Sequence, residues 1–257
     1  MKLGIIGYGA IGSFVARSVK NGLLKRYEVA LVFDLDKDRL SAAENEGFKT
    51  TCSFDEFLNH GFDIVMEGAS QRAARIYLPD LVNKGYSVLV MSGGVFADPV
   101  FKIHIEELAE KNNVRVYVPS GAISGLDGIE AMMFAGELNV LLETRKNPRS
   151  LGRKDSEEVV IFEGGAREAA EKFPKNINVA MALALATEHP ENVKVRIISD
   201  PKVKTNTHTI MAEGESGKMK IVVENVPFPE NPKTSFLAAL SALQILKKIT
   251  QRFVIGG

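Results

Sequence analysis

The sequence predicts an α/β chain: a doubly wound parallel sheet first, then a second α+β domain with a mostly antiparallel sheet. Three observations carry this. Residues 1–118 alternate short apolar runs with helical stretches, the pattern of parallel strands covered by helices on both faces. The first apolar run, Leu3 to Ile6, turns through Gly7-Tyr8-Gly9-Ala10-Ile11-Gly12 into a helical pattern over Ile11 to Val19. After Pro119 the runs lengthen and are joined by short turns, which favours antiparallel pairing.

The strand-like runs of the first part are Leu3–Ile6, Val29–Phe33, Phe48–Thr51, Asp63–Met66, Ser87–Met91 and Val114–Val118, with helices between them such as Ser70–Lys84 and Pro99–Asn112. Six strands make a full two-halved nucleotide-binding sheet of the Rossmann type. Such sheets bind ligands beyond the carboxyl ends of their strands. The segments placed there are Gly7–Gly12, Asp34, Glu67-Gly68-Ala69-Ser70, Ser92-Gly93-Gly94 and Pro119-Ser120-Gly121-Ala122. Beyond them, a short helix spans about Asp127 to Ala135, and strands are expected at Asn139–Thr144, Glu158–Phe162, Val193–Ser199, Lys204–Ala212 and Lys218–Glu224. The last three are expected to form hairpins, being linked only by Asp200-Pro201-Lys202 and by Glu213 to Gly217. An apolar helix covers Asn178 to Thr187, and Arg145–Lys154 reads as an exposed, charged loop. From Phe236 to Arg252, apolar residues recur at three- and four-residue steps behind Thr234 or Ser235 as N-cap. The expected division is a dinucleotide-binding domain at 1–119, a second α+β substrate domain at 120–230, and a helix at 234–252 returning to the first.

Composition narrows the function classes. The 257 residues are 45% apolar and 25% charged, an ordinary globular composition. Lys+Arg and Asp+Glu balance at 32 each, giving no global charge for nucleic acid or an anionic membrane. The single cysteine, Cys52, forbids an internal disulfide and fits a cytoplasmic setting. No apolar run approaches the length of a membrane span, and the N-terminal run reads as a first strand rather than a signal peptide. The four histidines are scattered without metal-ligand spacing, so no metal site is expected.

The glycine motif points to a dinucleotide. Gly7 permits the tight turn, Gly9 the approach of a pyrophosphate, and Gly12 close packing of helix on strand. The helix N-terminus, at Ala10 and Ile11, offers N–H groups to the phosphates. Asp34 ends the next strand, 22 residues after Gly12, where a carboxylate accepts from the ribose hydroxyls of NAD and repels a 2′-phosphate. Lys37 and Arg39 soften that preference, so NAD or NADP is expected. The competing reading of Asp34 is a cap on the helix beginning near Asp36. Ala69 and Ser70 follow the fourth strand and join the candidate cofactor contacts.

Ser120-Gly121-Ala122 lets a flat ring approach the backbone, or else is a plain domain junction; Ser120 and Gly121 are candidate substrate contacts. In Thr205-Asn206-Thr207-His208-Thr209, strand alternation places Asn206 and His208 on one face. That pair could bind a carboxylate or move a proton near neutral pH, against the plainer reading of a satisfied core histidine. His60, His104 and His189 read as surface. Asn176-Ile177-Asn178 opens a helix, and capping is the better bare reading of both asparagines. Among cations, Arg145, Lys146, Arg196, Lys204 and Lys233 could meet an anionic substrate, and the sequence does not choose among them.

Taken together, Gly7–Gly12, Ser120-Gly121-Ala122-Ile123-Ser124-Gly125-Leu126-Asp127, Asn176-Ile177-Asn178-Val179-Ala180, Thr205-Asn206-Thr207-His208 and Glu224-Asn225-Val226-Pro227 through Thr234-Ser235 closely resemble the L-aspartate dehydrogenases of prokaryotic NAD biosynthesis. The resemblance spans essentially the whole chain. It implies a homodimer that oxidises L-aspartate with NAD or NADP to iminoaspartate, which hydrolyses to oxaloacetate and ammonia or passes to quinolinate synthase. It implies His208 as the active-site histidine, with Ala122 and Asn178 touching the cofactor, and leaves Asn176 as the helix cap. Asn206 is then a candidate substrate contact. Two rival readings use the same glycine loop. One is another two-domain NAD(P) oxidoreductase, like homoserine dehydrogenase or dihydrodipicolinate reductase; the other is a non-catalytic NAD(H) sensor that has no need of His208.

Overall fold

The structure is a computed structural model that describes residues 1–172 and 177–256. It divides into two compact units, Met1–Pro119 with Ala242–Arg252, and Ser120–Ser241 with Phe253–Gly257.

The first unit is built on β1 (Lys2–Ile6), α1 (Ala10–Lys20), β2 (Glu28–Phe33), α2 (Lys37–Asn45), β3 (Thr50–Thr51), α3 (Phe54–Leu58), β4 (Ile64–Glu67), α4 (Gln71–Asn83), β5 (Ser87–Val90), α5 (Pro99–Lys111) and β6 (Val116–Tyr117). The strands lie in the order β3-β2-β1-β4-β5-β6, and every neighbouring pair is parallel. This is the doubly wound arrangement: the order reverses between β1 and β4, so the turns after these two strands flank the crevice where such sheets take ligands. Leu3, Ile5, Val15, Ala16, Val32, Ile64, Met66 and Leu89 are buried in one core. A parallel sheet covered on both faces needs such near-continuous apolar strands. Ala242 and Leu246 belong to the same core, and Tyr27 Oη donates to the Leu246 carbonyl at 2.9 Å.

The second unit contains α6 (Leu126–Met133), β7 (Asn139–Lys146), β8 (Val159–Gly165), α7 (Ala166–Lys172), α8 (Ile177–Ala186), β9 (Val193–Ser199), β10 (Asn206–Gly214), β11 (Gly217–Asn225), β12 (Pro227–Phe228) and β13 (Asn231–Ser235). From β13 the chain enters α9 (Phe236–Thr250) directly; Thr234 and Ser235 are strand residues. The five-stranded sheet runs β11-β10-β7-β9-β8. Three of its four pairings are antiparallel and β7 with β9 is parallel. The expected β9–β10 hairpin is therefore absent. β7 inserts between them, pairing Thr144 with His208 on one side and Ile197 on the other, so the short 200–205 link crosses over an intervening strand. A central strand gains both ladders of hydrogen bonds, and its buried Val140, Leu142 and Thr144 suit that position. The charged stretch expected as a loop from Arg145 also begins differently: Arg145 and Lys146 are the last residues of β7 and both are half-buried. Beyond its first turn, helix α8 is apolar all round, with Ala180, Met181, Ala182, Leu183 and Ala184 buried, as a helix packed against α6, α7 and β9 requires.

Candidate active site

In the first unit the glycine turn is sterically specified. Gly7 has φ +92°, and a Cβ there would lie 2.8 Å from Ala69; a Cβ on Gly12 would lie 1.9 Å from the Gly7 carbonyl oxygen. Gly9, by contrast, has room, its nearest neighbour being Arg39 Nη1 at 3.7 Å. It is the N-cap of α1 and has no side chain to take the first-turn N–H groups. Those groups, with the positive end of the helix at Ala10 and Ile11, are left for an anionic ligand. A cradle that a Cβ would fill and an uncapped helix start both fit the pyrophosphate of a dinucleotide.

Asp34 is buried at the end of β2. Its Oδ2 accepts from Tyr8 N at 2.7 Å and its Oδ1 from Asp36 N at 3.0 Å. The helix-cap reading of Asp34 fails, because Asp36 caps α2 by accepting from Asp38 N and Arg39 N. Backbone donors fix the Asp34 carboxylate in the wall of a cavity of about 430 Å³, lined also by Gly7, Arg39, Ala69, Ser70 and Arg72. Arg39 Nη1 stands 3.6 Å from Asp34 Oδ2. The cavity thus holds one carboxylate suited to ribose hydroxyls and two guanidinium groups suited to a 2′-phosphate. Ser70 Oγ caps α4 by accepting from Ala73 N.

Glu67 was named only within the segment after the fourth strand and given no role of its own, although an acidic residue closing an apolar strand was a signal of the kind used for Asp34. It is fully buried. Oε1 accepts from Ala69 N at 2.9 Å, Ser70 N at 3.0 Å and Ser92 Oγ at 3.0 Å; Oε2 accepts from Ser92 N at 3.1 Å. Burial pushes its pKa up, and the donors from Ser92, Ala69 and Ser70 oppose that rise. The carboxylate ties the turn after β4 to the turn after β5, and the first of these packs against Gly7.

In the second unit, strand alternation sorts the polar residues. Asn206, His208 and Ile210 share the inner face of β10 with Thr144 and Lys146 of β7 and with Val223 and Asn225 of β11. His208 is 5% exposed, and its Nδ1 shares a 2.9 Å hydrogen bond with Thr144 Oγ1. Its pKa is pushed down to about 4, first by burial and then by the Lys146 charge. Burial also holds the Lys146 ammonium below its usual range. Asn206, half-buried, pairs with Asn225 across the β10–β11 ladder. Asn225 is buried; its Nδ2 donates to the Ala122 carbonyl at 3.0 Å, and its Oδ1 has no partner among the described residues.

The remaining predicted residues fall as follows. Ala122 is buried, while Ser120 and Gly121 (φ +64°) are half-buried in the same turn. Asn178 is exposed in the first turn of α8; Asn176 lies outside the described residues. His60 and His104 are exposed, and His189 meets Glu191 at 3.1 Å. The structure separates the candidate cations. Arg145 is on the outer face with Glu143, Glu158 and Asp200 at 2.7, 2.5 and 3.1 Å, and Arg196 is there with Glu163 at 2.9 Å. Lys204 is exposed, and the side chain of Lys233 lies outside the described set. Lys146 shares the inner face with His208. Among the described residues no group of His, Cys, Asp and Glu could hold a metal ion, and no helix is long and apolar enough to cross a membrane.

Comparison with known proteins assigns both units. Residues 7–119 match the family model "Homoserine dehydrogenase, NAD binding domain", and residues 127–249 match "Aspartate dehydrogenase, C-terminal". The chain is 43% identical to the L-aspartate dehydrogenase of Archaeoglobus fulgidus, over 99% of this chain and 100% of that one. It is 41% identical to that of Methanothermobacter thermautotrophicus, over 100% and 98%. The crystal structure of aspartate dehydrogenase from Thermotoga maritima superposes with a TM-score of 0.83 at 30% identity, covering 100% of this chain and 99% of that one. A homoserine dehydrogenase from Thiobacillus denitrificans shares the fold alone, with a TM-score of 0.59 at 12% identity over 97% of this chain and 74% of its own. With identity of this order along its full length, the chain belongs to the L-aspartate dehydrogenase family.

Proposed function

We propose that the protein oxidises L-aspartate to iminoaspartate with NAD or NADP, using His208 for proton transfer. The observation that carries this reading is the inner-face cluster of His208, Thr144, Lys146 and Asn206 in a chain of this family. The bound nicotinamide supplies the hydride acceptor. Gly7, Gly9, Ala10, Ile11 and Gly12 hold the pyrophosphate; Asp34 reads the adenosine ribose; Ala69 and Ser70 line its cavity; Ala122 and Asn178 contact the cofactor.

The substrate amine must be neutral before hydride can leave its Cα, so a proton acceptor is needed. In the tautomer whose Nδ1–H donates to Thr144 Oγ1, the His208 Nε2 lone pair takes that proton, and Thr144 holds the ring in place. Once that proton has passed to solvent, the same nitrogen takes a proton from the water whose oxygen bonds to the imine carbon, and the carbinolamine so formed breaks its C–N bond to leave oxaloacetate and ammonia. Lys146 carries a positive charge on the same face and is the cation that meets a substrate carboxylate; Asn206, with Ser120 and Gly121, supplies the neutral contacts. Bringing two carboxylates beside His208 also raises its pKa from the low value of the free protein toward the range useful for catalysis.

Supply of iminoaspartate to quinolinate synthase, a cytoplasmic setting and a homodimer are further parts of the proposal. The outer sheet face exposes Val160 and Val222, apolar side chains that a second copy would cover. Reduction of NAD and of NADP in the presence of L-aspartate, followed by absorbance, tests the reaction. Turnover with another amino or hydroxy acid and none with L-aspartate would contradict it. Cofactor binding with no turnover would instead support the sensor reading.

A further inference from the structure

We propose that Asn225 recognises the carboxamide of the cofactor's nicotinamide ring, its Oδ1 accepting a hydrogen bond from the carboxamide N–H₂. This rests on the reading of the Ala122 turn as a cofactor contact.

Asn225 closes β11, and no role has so far fallen to it. It is 4% exposed, yet only half of its amide is satisfied: Nδ2 donates to the Ala122 carbonyl at 3.0 Å, while Oδ1 has no partner among the described residues. A buried acceptor left unpaired is costly, and such an atom in a native structure calls for a ligand or a water. The orientation of the amide is fixed by its partner. Turning it over would set Oδ1 against the Ala122 carbonyl, acceptor against acceptor.

Three features say which donor it waits for. The turn that Asn225 grips, Ser120-Gly121-Ala122, comes next along the chain after the last strand of the nucleotide-binding sheet, and the segments that follow such strands are the ones that meet ligands. Asn225 also lies on the inner face of the second sheet, directly across from Asn206 and one inner-face position along from Val223, which pairs with His208. An uncharged acceptor there suits an uncharged amide donor, and the carboxamide is the only such group at the reactive end of a nicotinamide cofactor. The substrate amine is a poorer match, because it must lose its proton to a base and an amide oxygen is not one.

Isothermal titration with NADH, with the reduced 3-acetylpyridine analogue and with ADP-ribose tests this. The analogue carries a methyl group where the carboxamide has N–H₂, and ADP-ribose lacks the ring. The wild-type protein is expected to bind NADH about five-fold or more tighter than the analogue, the range of one neutral hydrogen bond. Asn225→Ala is expected to bind the two alike, while its ADP-ribose affinity stays within about two-fold of wild type, which also reports that it is folded. Equal affinity of the wild-type protein for NADH and the analogue overturns the proposal without any variant, and means that Oδ1 serves a bound water. A preference that survives in Asn225→Ala overturns it too, as does a raised aspartate KM in that variant with the preference intact. Failure of the wild-type protein to bind ADP-ribose would instead sink the Gly7–Gly12 anchor.

Discussion

Nδ1 of His208 lies 2.9 Å from Oγ1 of Thr144, its direct cross-strand neighbour, and both side chains are buried. The pair fixes the imidazole, and the burial that accompanies it, with Lys146 nearby, brings the His208 pKa down to about 4. In the unfolded chain the same ring titrates near 6.5. Below that value the unfolded state binds the extra proton and the folded state resists it. Stability is therefore complete above about pH 6.5 and falls as pH drops toward 4, by an amount on the order of 3 kcal/mol for this group. Melting temperatures across this window should drop toward acid in the wild-type protein and drop less in His208→Gln. Equal slopes in the two would show that His208 is not buried in this way.

Lys146 couples to the same ring through its charge. Lys146→Gln should raise the His208 pKa, read from the imidazole proton resonances, of which the chain has only four sets. It should also raise the KM for L-aspartate by about ten-fold or more, in line with the loss of a charge-assisted hydrogen bond, while Lys146→Arg recovers part of the affinity. An unchanged KM would return the carboxylate contact to another cation.

Glu67 tests the scaffold of the cofactor site. In Glu67→Gln the side-chain N–H₂ cannot accept, so one of the donors on Ala69, Ser70 or Ser92 loses its acceptor in a buried place. The cost should be about 1–3 kcal/mol of stability. Because the Ala69 turn packs on Gly7, the KM for the cofactor should rise more than kcat falls. A variant with wild-type melting temperature and cofactor KM would show that the four hydrogen bonds onto Glu67 do not position that turn.

Much of this was legible in the residues. The local roles of Gly7, Gly12 and Asp34 could be read because each is forced locally, by a turn, a helix start and a strand end. His208 and Asn206 could be placed on one face because strand periodicity needs no partner strand. The partners themselves could not be read. Thr144 lies 64 residues from His208 in sequence, and only the insertion of β7 between β9 and β10 brings them together. The short 200–205 link suggested a hairpin instead, and that error hid the reason why Lys146, and not Arg145 beside it, shares the inner face. The role of Glu67 was missed for a different reason. Its role lies in four hydrogen bonds to two separate turns, which no spacing along the chain displays.

The most direct test of the account is the turnover of His208→Ala on L-aspartate, measured beside its affinity for NADH. The proton-transfer role predicts a loss in kcat of about 10²-fold or more with the NADH affinity within about two-fold of wild type. Near-wild-type turnover in that variant, with the cofactor still bound, would contradict it.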